Sequence, residues 1–253
     1  MAYTAILSDI HSNREALDAA LRDVESRGVK DLVCLGDVIG YGACPRESLL
    51  GVMDRCRFTL LGNHEQAAMY YPEDFNPKAR VALDWTRGAL NDPERPRAEN
   101  FRLWDFLGGL TETVREGDVQ YSHGSPRDPL REYVLPRDVA NPAKMKAIFD
   151  RIDRRVAFIG HSHVPGVFTE DGRFISPQAL DGPFSLPRKE RTLVNVGSVG
   201  QPRDGDPRLS YALFDGEAVL FVRLPYDAEA AAARIRATGV LPEFLASRLL
   251  VGR

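Results

Sequence analysis

Five short apolar runs in this chain end in the same way, at a tip that carries a carboxylate, an amide or an imidazole. In residues 31–42, DLVCLGDVIGYG, Asp37 stands where a buried strand leaves the core, and glycines at 36, 40 and 42 surround it. The other four runs end at residues 9–11, 63–65, 123–124 and 161–163, and all five histidines lie in these tips. Chemistry in α/β proteins collects at the carboxyl ends of the strands, so we predict one polar site built from five segments.

Composition restricts the class of protein. The chain has 253 residues, 43% of them hydrophobic, which is enough for a large core. A net charge of −3 gives no basic surface for duplex nucleic acid or an anionic membrane. No run has the length of a membrane span, no signal peptide precedes the first strand, and the three cysteines show no Cys-x-x-Cys spacing. We therefore expect a soluble, cytoplasmic protein.

The order of elements predicts an α/β domain. A β-α-β opening, whose helix starts at a capping box over Ser12–Glu15, implies parallel strands. Residues 65–110 form a helical insertion, with helices at about 77–90 and 100–107. Its aromatic side chains are interpreted as packing between these helices. Antiparallel hairpins follow from Gly166, and residues 226–253 form C-terminal helices. No linker divides residues 1–253, so we predict a single domain.

The polar tips supply a mixed nitrogen and oxygen ligand set. Asp9 and His11 are two residues apart, as are His161 and His163, so an extended strand end would turn each pair to one face. Such sets suit divalent Mn, Fe, Co, Ni or Zn. The candidate ligands outnumber the needs of one ion, and two ions sharing Asp37 and a bridging hydroxide suit the count better. These ligands are Asp9, His11, Asp37, Asn63, His123, His161 and His163.

The five tips resemble, in order, the five sequence blocks of calcineurin-like metallophosphoesterases, in the branch related to bacterial phosphodiesterases and serine/threonine phosphatases. The blocks read DIH at 9–11, GD at 36–37, GNHE at 62–65, SHG at 122–124 and GHSH at 160–163. The resemblance implies an α/β fold, a four-layer α-β-β-α sandwich of two mixed sheets. It also implies two divalent ions, with manganese expected first, and a phosphoester hydrolase.

The same resemblance implies a division of labour in the site. One ion would be held by Asp9, His11, Asp37 and His163, and the other by Asp37, Asn63, His123 and His161. His64 would be no ligand but a catalytic residue that contacts the phosphate and assists the leaving group. An imidazole can supply a proton to a departing oxygen near neutral pH, although the protonation state that acts is left open.

One position departs from the phosphatase pattern. The phosphatases most like this chain carry Gly-Asp-x-x-Asp-Arg at the second block, where this sequence has Gly40 and Tyr41. Without that Asp-Arg pair the grip on a monoester is weaker, which favours a diester or nucleotide. Arg203, Arg14 and Tyr41 are the candidate substrate contacts, and a surface role for the two arginines stays open.

These inferences favour a phosphodiesterase or broad phosphoesterase that takes a small soluble phosphoester, with no duplex nucleic acid or membrane as partner. The alternatives are a protein serine/threonine phosphatase, a dinucleoside-polyphosphate hydrolase and a non-catalytic binding module on the same fold. A structural zinc site is disfavoured, because the ligand set contains no cysteine.

Overall fold

A computed structural model describes residues 3–70 and 77–253. Two six-stranded sheets form its centre. Their strands are β1 (Thr4–Leu7), β2 (Asp31–Cys34), β3 (Phe58–Thr59), β4 (Thr113–Glu116), β5 (Val119–Ser122), β6 (Val156–Ile159), β7 (Gly166–Thr169), β8 (Phe174–Ile175), β9 (Phe184–Ser185), β10 (Thr192–Asn195), β11 (Leu209–Phe214) and β12 (Ala218–Leu224).

Both sheets are mixed. The first has the order β3-β2-β1-β11-β12-β9, in which β1, β2 and β3 run parallel and the other three strands pair antiparallel. The second has the order β4-β5-β6-β10-β7-β8, with β5, β6 and β10 parallel at its centre. The parallel strands therefore bring the segments after β1, β2, β5 and β6 to the carboxyl edges of the two sheets.

Helices cover the outer faces. They are α1 (Arg14–Ser26), α2 (Pro45–Arg55), α3 (Asn63–Met69), α4 (Pro77–Leu90), α5 (Arg97–Gly108), α6 (Pro142–Phe149), α7 (Ala228–Ala237) and α8 (Glu243–Ser247). The first sheet packs on α1, α2, α4 and α5, while α6 covers the second sheet. Among the described residues no helix is both long and apolar enough to cross a membrane.

Alternation along the strands explains the four layers. In β1, Ala5 and Leu7 pack against the helices, whereas Ile6 points to the other sheet. In β6, Phe158 faces the first sheet and Ile159 faces α6. Since successive side chains of a strand point to opposite faces, a strand that is apolar throughout belongs between two covered faces. The predicted α-β-β-α sandwich of two mixed sheets is confirmed.

Two local predictions are wrong. The N-cap of α1 is Asn13, whose side chain accepts the Ala16 N–H, and not Ser12. The aromatic residues of the insertion do not all pack between helices, because Tyr70 and Phe101 are 66% and 57% exposed. The helices of the insertion are confirmed as α4 and α5, and the aromatic residues at 71 and 75 lie outside the described residues.

Candidate metal centre

The candidate ligands lie in turns beyond the strand ends. Strand β1 ends at Leu7 and β6 ends at Ile159, so the prediction of extended backbone at the two spaced pairs is wrong. Every described non-glycine residue with positive φ lies in or beside these tips: Asp9, His11, Ser12, Asp37, Tyr41, His161 and His163, with φ between 49° and 62°. Left-handed backbone is uncommon outside glycine and concentrates at functional sites.

Backbone hydrogen bonds between tips hold these turns in register. Asp9 N–H donates to Gly36 O at 3.0 Å, and His11 N–H donates to Asp37 O at 2.9 Å. The Asp9 carboxylate also accepts the His161 N–H at 2.9 Å through Oδ2. The first, second and fifth tips are therefore tied directly together.

Three side chains form a first convergent group. Asp9 Oδ1 lies 3.1 Å from His163 Nε2 and 3.8 Å from His11 Nε2. The two Nε2 atoms are 3.1 Å apart. Asp9 Oδ1 is buried and has no hydrogen-bond partner among the described residues. A buried carboxylate oxygen without a donor is costly unless a cation compensates it.

A second group faces the first across Asp37. His123 Nε2 lies 3.1 Å from both Asn63 Oδ1 and His161 Nδ1. Asp37 Oδ2 lies 3.3 Å from His123 Nε2 and 3.7 Å from His11 Nε2. One oxygen of Asp37 thus stands between the two groups, in the position that a shared ligand requires.

Main-chain carbonyls determine which ring nitrogen faces the centre. The Nδ1 atoms of His11, His123 and His163 contact the carbonyl oxygens of Ile39, Leu35 and Gln201 at 3.2, 3.0 and 2.5 Å. For His161 the outward atom is Nε2, 3.1 Å from Arg131 O. When the outward nitrogen donates to a carbonyl, the inward nitrogen carries a lone pair, as in metal-ligating histidines. These donors fit divalent transition-metal ions.

Burial and mutual charge set the protonation of the groups. Burial lowers the pKa of His161 to about 3 and also lowers those of His11 and His163. Burial by itself would raise the carboxyl pKa of Asp37, but His123 and other imidazoles hold it well below its usual value. Burial by itself would lower the pKa of His123, but its contacts with Asp37, together with the charges of Asp9 and Glu65, raise it to about 9. A cation that takes the inward nitrogen of His123 must therefore displace a proton.

His64 stands beside the two groups. Its backbone N–H donates to Asp37 Oδ1 at 2.9 Å, and its ring Nε2 lies 4.0 Å from Asp37 Oδ2. The ring is within ligand reach of His11 and Asp37 as well. Burial lowers its pKa to about 4, so the imidazole is neutral at pH 7.

The three residues predicted to contact substrate do not all lie at the site. Tyr41 lies at the site, with its ring centroid 4.8 Å from that of His11 and 4.4 Å from that of His64. The Arg203 Cζ atom lies 5.9 Å from the centre of the Tyr41 ring. Arg14 is exposed and pairs with Asp18 on its own helix, so the structure does not bring it to the site.

The fold matches known proteins. Residues 3–218 match the model of the calcineurin-like phosphoesterase superfamily domain. The chain belongs to this superfamily. An uncharacterized protein of Methanocaldococcus jannaschii is 36% identical over 98% of each chain. A metallophosphoesterase from Sphaerobacter thermophilus is 35% identical, with a TM-score of 0.84 over 99% of this chain and 100% of that chain. A Pyrococcus horikoshii protein, 20% identical, shares the fold with a TM-score of 0.76, covering 100% of this chain and 99% of that chain.

Membership of this superfamily, which depends on divalent metals, supports a phosphoesterase. The described residues contain three groups of histidine and aspartate side chains that are close enough to bind metal ions.

Sequence reasoning did not assign two residues at this metallophosphoesterase centre. Glu65 is fully buried, and its carboxylate accepts the backbone N–H groups of Asp37, Gly62 and Ile39 at 2.8, 2.9 and 3.1 Å. Its position in the GNHE block was the available signal. Tyr133 stacks on His161 with ring centroids 3.8 Å apart, and no local pattern around it indicated that contact.

Proposed function

We propose that this metallophosphoesterase is a dinuclear hydrolase of phosphodiesters, or of a broad range of small phosphoesters, in the cytoplasm. The observation that carries the proposal is the pair of ligand groups on either side of Asp37 Oδ2, 3.7 Å from His11 Nε2 and 3.3 Å from His123 Nε2. The three free cysteines are consistent with a reducing compartment.

The residues divide into two ligand sets that share Asp37. Asp9, His11 and His163 form the rest of the first set, and Asn63, His123 and His161 form the rest of the second. Manganese is the proposed native metal, since mixed imidazole and carboxylate sets accept borderline divalent ions. When bound, two such ions supply an activated water and polarise the phosphoryl oxygens.

His64 is proposed to act on the leaving group. Its ring lies next to the ligand groups, with Nε2 4.0 Å from Asp37 Oδ2, and its backbone N–H donates to Asp37 Oδ1. Because burial keeps the imidazole neutral at pH 7, it donates a hydrogen bond from a ring N–H to the departing oxygen and does not start as a cation.

The residues at positions 40 and 41, beside the ligand groups, favour a diester as substrate. Gly40 and Tyr41 occupy the place where phosphatases of this resemblance carry an Asp-Arg pair, and Tyr41 lays an aromatic ring against His11 and His64. An aryl or nucleoside ester group can pack against such a ring, and a dianionic monoester lacks the Asp-Arg pair that would bind it.

The test combines metal analysis with a pair of chromogenic substrates. The manganese-loaded protein should contain about two ions per chain and hydrolyse bis(p-nitrophenyl) phosphate faster than p-nitrophenyl phosphate. Failure to hydrolyse either substrate would support a binding module. Much faster turnover of a phosphopeptide or a dinucleoside polyphosphate would replace the proposed substrate class by one of those two alternatives.

A further inference from the structure

The segment between β5 and α6 brings an aromatic ring onto the metal centre. Tyr133, in this segment, stacks on His161 with ring centroids 3.8 Å apart and an angle of 26° between the ring planes. The same segment contacts that imidazole a second time, since Arg131 O lies 3.1 Å from His161 Nε2. Tyr133 is nevertheless 44% exposed. Because His161 covers one face of the ring, the exposed area lies on its opposite face and its edge.

Contacts on both sides of Tyr133 hold its backbone in place. Ser125 N–H donates to Glu132 O at 3.2 Å, and the Lys144 side chain donates to the carbonyl oxygen of Tyr133 at 2.8 Å. The next residue, Val134, is buried in the apolar core between α6 and the second sheet. An aromatic ring that is already held in this way loses little conformational entropy when a ligand packs on it.

A second tyrosine lies beside the other ligand group. Tyr41 packs on His11 and His64, with ring centroids 4.8 and 4.4 Å apart. Arg203 links the two tyrosines, because its Cζ atom lies 5.9 Å from the centre of the Tyr41 ring. Its charge and a side-chain hydrogen bond also oppose the rise that burial causes in the pKa of Tyr133. The two tyrosines therefore lie beside different ligand groups of one centre.

We propose that Tyr133 is a specificity-determining residue that stacks on a planar aromatic group of the substrate. This inference rests on the proposed phosphodiesterase function and narrows its substrate class. His64, which is proposed to act on the leaving oxygen, contacts Tyr41, whereas Tyr133 contacts His161 in the other ligand group. The aromatic group at Tyr133 therefore belongs to the ester that stays on phosphorus, and it is either an aryl ring or a nucleobase.

Diesters that share one leaving group test this assignment on the manganese-loaded protein. The methyl, phenyl and thymidine 5′-esters of p-nitrophenyl phosphate all release p-nitrophenolate and differ only in the group that stays on phosphorus. The phenyl or the thymidine ester should have a higher kcat/KM than the methyl ester. Preference for the phenyl ester indicates an aryl substrate, and preference for the thymidine ester indicates a nucleotide.

Substitutions then assign the preference to the ring. Tyr133→Leu still covers His161 but has no ring, so it should reduce the kcat/KM ratio of the preferred ester to the methyl ester, mainly through KM. The expected reduction is about 5- to 150-fold, the range for one base stacked on an aromatic side chain. Tyr133→Phe should keep the ratio, because the ring remains. Phe101→Ala, the matched control, removes an aromatic ring that is 57% exposed on α5 and should also keep it.

Binding of the products gives a readout that does not depend on turnover. Calorimetry compares phenyl phosphate and thymidine 5′-monophosphate with methyl phosphate. The aromatic product should bind more tightly than methyl phosphate, and Tyr133→Leu should remove this difference. Thermal melts establish that each variant is folded.

The proposal is wrong if Tyr133→Leu weakens all three esters and all three products by the same factor, since the ring would then only support His161. It is also wrong if Tyr133→Leu keeps the wild-type ratios. Failure of the proposed function gives a different result, in which no ester is hydrolysed while product binding still measures the effect of Tyr133.

Discussion

Asp37 and His64 are in contact, but Asp37 lies between the two ligand groups and the His64 ring lies beside them. Both oxygens of Asp37 are engaged, Oδ1 by the His64 backbone N–H and Oδ2 by the facing imidazole nitrogens. The His64 ring lies at the margin, 4.0 Å from Asp37 Oδ2. At the scale of single residues, the roles proposed for Asp37 as shared ligand and for His64 as catalytic group should therefore be separable by substitution.

Asp37→Ala should lose metal from both sets, because one oxygen serves both. His64→Ala should retain about two ions and lose turnover by about 10²–10⁴-fold, the range for a general acid-base group. Metal analysis of the purified variants, with rates on bis(p-nitrophenyl) phosphate, measures both effects. Equal metal loss in the two variants would instead make His64 a ligand, which its distance to His11 and Asp37 permits.

Gly40 allows His64 to occupy its place. It has φ of 86°, and a Cβ atom there would lie 2.1 Å from His64 Nδ1. Gly40→Ala should therefore resemble His64→Ala, with the ring displaced and the metal content retained. Gly216→Ala is the matched control, since φ there is 96° and no atom lies within 4 Å of the added carbon. If the control lost as much turnover, backbone strain and not displacement of the ring would be responsible.

At the scale of elements, Glu65 joins the turn after β2 to the start of α3. Its carboxylate accepts N–H groups from Asp37 and Ile39 in the turn and from Gly62 before the helix. Gly62 leaves space for this contact, because a Cβ atom would lie 2.6 Å from Glu65 Oε2. This buried side chain therefore positions both Asp37 and Asn63.

Glu65→Gln should lower the free energy of unfolding by about 1–3 kcal/mol, because an amide offers only one acceptor oxygen to these donors. The metal content should fall with it, since two ligands lose their support. Urea unfolding and metal analysis measure the two effects. Glu243→Gln, an exposed member of an ion pair with Arg236, should change neither.

At the scale of the whole molecule, the buried histidines of the site make the stability of the fold depend on pH. Four of the five histidines are buried with lowered pKa values, including about 4 for His64 and about 3 for His161. An imidazole in the unfolded chain has a pKa near 6.5. The unfolded state therefore binds more protons below that pH, and these groups stabilise the fold above it.

The metal-free protein should lose stability as the pH falls from 6.5 to 4. Glu65 has the opposite effect. Burial raises its pKa to about 7, so its protonation stabilises the fold as the pH falls, but it is one group against four histidines. His123 also has a raised pKa, about 9, so its contribution is present below pH 6.5 and is lost as the pH rises through 9. Urea midpoints in chelator at pH 5, 6.5 and 9 should peak near 6.5.

His64→Ala should reduce the loss of stability between pH 6.5 and 5, because it removes one imidazole whose pKa is lowered by burial. Stability that stayed flat or rose on acidification would show that the histidines are not held neutral by burial.

The apolar runs of the sequence predicted the α/β class and a polar site at the strand ends, and the four-layer sandwich was implied by the family resemblance. Strands such as β1 and β6 are apolar on both faces, and this local pattern already places them between two covered faces. Each candidate ligand lies within four residues of the end of a strand, so their common edge follows from the pattern. The helices of the insertion and the hairpin of β4 and β5 likewise depend on local signals.

Tertiary structure decided how the tips converge and what surrounds them. The left-handed turns at Asp9 and His161, the carbonyl partners of the histidines and the ties made by Glu65 all join segments distant in sequence. Tyr133, in the loop after β5, stacks on His161, whereas Arg14 stays on an exposed helix face. Such outcomes depend on register and on contacts between elements, and no local pattern in the chain encodes them.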